Sequence, residues 1–96
     1  MTTPRFTPAA SNDLSEIWDC TEERWDAPQA ERYVRELFAA AERLAADPDR
    51  GRPGDHVRPG YRRFGIGSHL LFYTALDGEN MIVRILLQRM DPTRHL

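Results

Sequence analysis

Arginine and histidine punctuate the last third of the chain: Arg62, Arg63, His69, Arg84, Arg89, Arg94 and His95 all fall between Tyr61 and Leu96. Such side chains hold anions, and histidine also moves protons near neutral pH. Cutting RNA by 2′-hydroxyl attack needs a base, an acid and cations on the phosphate. The proton transfers there are worth about 10²–10⁴-fold. The nearest set that fits such chemistry is Arg63, Arg84 and His95, with His69 the other available proton carrier. All 13 basic residues are arginine. Arginine stays protonated, so it holds anions without serving as a general base. The nuclease set is therefore incomplete, and no residue is assigned a catalytic role. Structural roles stand beside each functional one. His69 can cap a hairpin, and Arg84 can pair with a carboxylate such as Asp91. Asp91 before Pro92 can start a last short helix. Arg62 and Arg63 alternate in direction, so at most one of them faces a core.

The elements that must position these residues follow from periodicity and turn chemistry. Arg5-Phe6-Thr7 reads as a short strand. Thr7-Pro8 opens a helix, because Thr caps and Pro is pre-organised for the first turn. Its apolar stripe is Ala10, Leu14, Ile17, Trp18, Thr21 and Trp25, with Asp13, Glu16, Asp19, Glu22 and Glu23 on the other side. Cys20 flanks the stripe as a small packed side chain. Asp26-Ala27-Pro28 starts a second helix running to about Ala46, with the stripe Ala30, Val34, Leu37, Ala41 and Leu44. So short a link between them makes an antiparallel helical hairpin the expected arrangement. The stretch from Asp47 to Gly60, DPDRGRPGDHVRPG, reads as a loop with a solvated His56. Three strands follow: Tyr61–Gly65, His69–Leu76 and Met81–Gln88. A turn at Ile66-Gly67-Ser68 and a hairpin at Asp77-Gly78-Glu79-Asn80 join them. In the last strand Met81, Val83, Ile85 and Leu87 form a dry face for the helices. Ile82, Arg84, Leu86 and Gln88 form a half-cationic face left open for a partner.

With 96 residues the chain is one domain, spanning 1–96, able to bury roughly 60–65% of its unfolded surface. No apolar run approaches the ~20 residues of a membrane span. A lone cysteine and no apolar leader suggest a cytoplasmic location. One Cys and three scattered His give no metal-ligand spacing, so neither metal nor cofactor is expected. Charge divides unevenly. Residues 1–48 hold 5 Arg against 10 Asp and Glu, while residues 49–96 hold 8 Arg against 5. An acidic body joined to a basic sheet suits an acidic partner for the C-terminal half, and is milder than an independent DNA-binding domain requires.

The order β-α-α-β-β-β with a basic tail resembles the ParE/RelE family of type II toxins, most closely the ParE branch. The residues that carry the likeness span the chain. They are Thr7-Pro8-Ala9-Ala10 with Leu14 and Ile17-Trp18; Gly51-Arg52-Pro53; and Arg58-Pro59-Gly60-Tyr61-Arg62-Arg63-Phe64. His69-Leu70, Phe72-Tyr73, Ile82-Val83-Arg84, Leu86, Arg89-Met90-Asp91 and Arg94-His95 complete them. The resemblance implies an α+β fold, with a helical hairpin on one face of a small antiparallel sheet and a short C-terminal tail or helix. It also implies a toxin that inhibits DNA gyrase by binding and is neutralised by a ParD-like antitoxin in a hetero-oligomer. DNA would then be touched only indirectly, through the antitoxin. The expected target contacts are Arg63, Arg84, Arg89, Met90, Asp91, Arg94 and His95. Trp25, Arg62, Phe72 and Leu86 are the expected antitoxin contacts. A RelE-like ribosome-dependent mRNA endonuclease is the alternative, though that branch typically supplies lysines and a tyrosine near its C-terminus. A non-toxic, antitoxin-binding relic of the fold is the third reading.

Overall fold

Two capped helices begin where the sequence places Thr and Asp before a proline. In the computed structural model, described for residues 4–54, 57–76 and 79–94, α1 runs Pro8–Arg24 and α2 runs Ala27–Ala46. The Thr7 hydroxyl accepts from the Ala10 amide at 3.1 Å, and the Asp26 carboxylate accepts from the Gln29 amide at 2.8 Å. Each cap satisfies an amide that the helix start would otherwise strand.

Five strands form one sheet in the order β1-β5-β4-β3-β2: β1 Arg5–Phe6, β2 Arg52–Pro53, β3 Tyr61–Ile66, β4 His69–Leu76 and β5 Glu79–Leu87. The architecture is α+β as expected, but the sheet is mixed, because β1 pairs in parallel with Met81 and Ile82 of β5. The expected three-residue first strand shortens by one, since Thr7 turns to cap α1. A further strand, β2, lies inside the stretch expected to be loop, pairing Arg52 with Arg63 and Pro53 with Arg62. The Gly60 φ of +83° and the Tyr61 amide bonded to the Arg58 carbonyl make a turn with Pro59 and Gly60 at its centre, which returns the chain into β3. The β3–β4 hairpin closes on Gly67 and Ser68, with Gly67 at φ +56°, the left-handed value a primed two-residue turn demands. His56 and the expected Asp77-Gly78 turn lie outside the described residues.

The helices cover one sheet face. Ala10, Ile17, Leu37, Ala40, Ala41 and Leu44 meet Leu71, Tyr73, Ile82 and Ile85 in a single apolar core. Alanines on α2 let the backbone approach the sheet closely, while each buried Leu or Ile contributes about 1.5–3 kcal/mol. Ile82 and Ile85 differ in parity, which corrects the expected odd-numbered face of β5. A bulge explains it: Phe72 pairs with Arg84 and Tyr73 with Ile82, so Val83 is an extra residue. The bulge shifts the alternation by one. Thr7 fastens this irregularity, its amide donating to the Ile82 carbonyl at 3.0 Å and its hydroxyl to the Val83 carbonyl at 2.7 Å.

Candidate functional site

β1 covers only Met81 and Ile82, so the outer edge of β5 emerges beyond the bulge. α1 meets that edge through Asp13. One carboxylate oxygen accepts from the Ile85 amide at 2.9 Å and from Arg84 Nε at 2.8 Å. The other accepts from Arg84 Nη2 at 2.9 Å. Asp13 is only 5% exposed, which corrects its expected place on the wet side of α1. The sequence held the signal: Asp13 stands three residues after Ala10 and four before Ile17, in the middle of the apolar stripe. Its carboxylate raises the Arg84 pKa further, through the hydrogen bond first. The expected Arg84–Asp91 pairing is thus replaced by Arg84–Asp13. Asp91 instead accepts from the Thr93 amide and hydroxyl at 3.0 and 2.7 Å, shaping the 3₁₀ turn Pro92–Arg94.

Past Asp13 a groove of about 700 Å³ opens between α1, the start of α2 and the β5 edge. Ile17, Leu86 and Leu87 give it an apolar floor, with Tyr33 and His69 at one end. Trp25, 74% exposed, and Met90 stand at its mouth. Cys20 lies in the wall and is exposed rather than packed. Glu16, Glu23, Arg24 and Arg89 add charges of both signs along the groove. An apolar floor with large exposed side chains at its mouth and mixed charge beside it is suited to a protein segment.

Tyr33 and His69 close the groove's inner end. The Tyr33 hydroxyl accepts from the Ser68 amide at 3.2 Å and lies 2.6 Å from His69 Nδ1. The hydroxyl donates to Nδ1 when the neutral ring carries its proton on Nε2, and accepts from it in the other tautomer. Burial lowers the His69 pKa against the opposing pull of Asp13, and burial raises that of Tyr33. His69 is thus a bonded post between α2 and the sheet. Its bond to Tyr33 was not legible, because 36 residues separate the two.

The other expected site residues fall in three places. Arg89, Met90 and Arg94 are exposed just after β5, while His95 lies outside the described residues. Arg62 reaches back over the helix-facing side, donating to the Gly51 carbonyl at 2.5 Å and the Asp49 carbonyl at 3.2 Å. Phe72 and Leu86, expected on an open face, are 1% and 4% exposed, so the chain itself covers them. Arg63 is half-buried on the helix-free face, in line with Phe72. Arg63 and Arg84 share that line across the sheet, but Arg84 is already engaged by a carboxylate. No helix among the described residues is long and apolar enough to cross a membrane.

Comparison with known proteins agrees with this architecture. Residues 5–92 match the family described as the ParE toxin of the type II toxin–antitoxin system parDE. The chain is 53% identical over 92 residues to Toxin ParE1 of Mycobacterium tuberculosis (strain ATCC 25618 / H37Rv), covering 95% of this chain and 94% of that one. It is 42% identical to Toxin ParE1 of Caulobacter vibrioides, over 96% and 95% of the two chains. Toxin ParE of Escherichia coli is 33% identical, over 95% and 89%. A solved chain of the chromosomal ParDE TA system from P. aeruginosa superposes with a TM-score of 0.80 at 22% identity, over 91% of this chain and 96% of that one, and so shares the fold. The chain belongs to the ParE toxin family of type II toxin–antitoxin systems.

Proposed function

We propose that this chain inhibits DNA gyrase by binding and that a ParD-like antitoxin neutralises it by seating a segment in the groove beside β5. The observation that carries the reading is the groove itself. A 74% exposed Trp25 and an exposed Met90 at the mouth of an apolar trough would gain most from a second chain. An amphipathic segment laid along α1 would bury both and cover Leu87, and at Met90 it would overlap the first residues of the target segment. The segment Arg89–Leu96 carries the target contact, with Arg63 assisting. Arg84 contributes by holding the end of β5 against α1, since its guanidinium is held by Asp13. A binding mechanism is favoured over RNA cleavage because Arg84, a member of the set that could hold a scissile phosphate, is neutralised within the fold. Cytoplasmic residence follows from a gyrase target.

Purified protein is expected to inhibit supercoiling by gyrase, or trap cleaved DNA, and to leave mRNA on translating ribosomes intact. Cleaved mRNA with unaffected gyrase would overturn this reading. Co-expression with the product of a neighbouring ParD-like reading frame should restore growth and yield a stable complex.

A further inference from the structure

Register places Arg52, Arg63, Phe72 and Arg84 in one line across β2, β3, β4 and β5. Paired residues of an antiparallel sheet share a face, and this line alternates with Arg62, Tyr73 and Ile82, whose side faces the helices. The line therefore lies on the helix-free face. Arg52 and Arg63 are directly opposite one another, an arrangement of like charges that destabilises a strand pair. Among the described residues, neither has a carboxylate within ion-pair distance. β2 is only two residues long, so it has little other pairing to offset the repulsion. An uncompensated pair of guanidinium groups in so short a strand is a local rule broken, which marks a site that an external anion completes.

Resting on the antitoxin reading above, we infer that Arg52 and Arg63 form a carboxylate-binding patch for an acidic stretch of the antitoxin, separate from the groove beside β5. Neighbouring strands stand about 4.8 Å apart, so two adjacent guanidinium forks can share one carboxylate or hold two in succession. A nucleic acid fits less well. The aromatic ring in the line, Phe72, is 1% exposed and offers no stacking surface for a base. The whole chain carries a net charge of −2, which opposes a polyanion at long range. A short acidic peptide feels mainly the local pair of cations.

The test compares the wild type with the R52Q/R63Q double variant by calorimetric titration at low and high salt. Two titrants are used: the antitoxin encoded by the neighbouring reading frame, and a hexaglutamate peptide. Losing one exposed and one half-buried charge should weaken antitoxin binding about tenfold at low salt, with little difference at high salt. Hexaglutamate should bind the wild type weakly and the double variant not at all. Relief of repulsion should let the double variant melt no lower than the wild type, so a folding defect will not mimic the result. Equal affinity and equal salt dependence in both proteins would overturn the inference. So would a single-stranded RNA oligonucleotide that outcompetes hexaglutamate and loses its binding in the double variant. Antitoxin that fails to bind even the wild type would instead overturn the antitoxin reading, and hexaglutamate would still decide the patch.

Discussion

Asp13 of α1 and Arg84 of β5 form a two-pronged ion pair, 2.8 and 2.9 Å between donor and acceptor atoms, with the Ile85 amide as a third donor to the same carboxylate. This contact fastens the first helix to the last strand where β1 no longer covers it. Asp13→Ala would remove the carboxylate to which the Arg84 guanidinium and the Ile85 amide both donate, at a cost of about 3–5 kcal/mol. Removing both partners with hydrophobic residues of similar volume, as in D13L/R84M, should recover a large part of that loss. Urea unfolding of the wild type and both variants checks it. If D13A unfolds at the wild-type midpoint, the pair is not structural. Arg84→Ala should also lower the melting temperature, so any loss of toxicity in that variant must be compared with its folded fraction.

Burial of His69 makes stability depend on pH. Burial holds the folded His69 pKa below its ordinary value of 6.5, while the unfolded chain takes up a proton near that value. The unfolded state therefore binds more protons as pH falls past about 6.5, and stability falls with it until the lower folded pKa is passed. Above about 6.5 the contribution is complete. A non-titrating H69Q variant should show a flatter dependence of urea midpoint on pH just below 6.5 than the wild type. Parallel curves would mean that the imidazole gains its proton at the same pH folded and unfolded.

Tyr73 ties the loop after α2 to the sheet. Its hydroxyl donates to the Pro48 carbonyl at 2.6 Å and accepts from the Gly51 amide at 3.0 Å. Tyr73→Phe should cost about 1–3 kcal/mol, because a buried amide loses its acceptor. Gly51→Ala should be worse, since a Cβ there would collide with the Tyr73 hydroxyl and lie 2.8 Å from the Arg63 carbonyl oxygen. Denaturant midpoints should rank the wild type above Y73F, and Y73F above G51A.

Local chemistry was legible where a short stretch of sequence decides the outcome. Thr7-Pro8 and Asp26-Ala27-Pro28 mark both helix starts, and Gly67-Ser68 marks a hairpin. The face assignment in β5 was not legible, because one extra residue at Val83 moves every later side chain to the opposite face and no local motif announces it. Asp13 was misplaced by its type rather than its position: the spacing put it on the buried stripe, and only the distant Arg84 makes burial of a carboxylate affordable there. Among the groove residues, Trp25 was expected on the apolar stripe of α1 and as a partner contact; at 74% exposed it lies off the buried stripe. Tyr33 and His69 needed the tertiary fold to meet.

The groove and the tail should separate by mutation. Trp25 stands at the groove mouth and forms no part of the buried core, so Trp25→Ala should leave stability within about 0.5 kcal/mol. As an aromatic anchor it should cost the antitoxin complex about 2 kcal/mol or more, roughly thirtyfold in Kd. Gyrase inhibition by the free W25A protein should persist, because the proposed target contact begins at Arg89. Deleting Arg94–Leu96 should do the reverse, abolishing growth inhibition while antitoxin affinity holds. Binding titrations and supercoiling assays on both variants read the two axes independently. Should the deletion lower antitoxin affinity as much as it lowers toxicity, one surface serves both partners and the assignment of separate roles to groove and tail is lost.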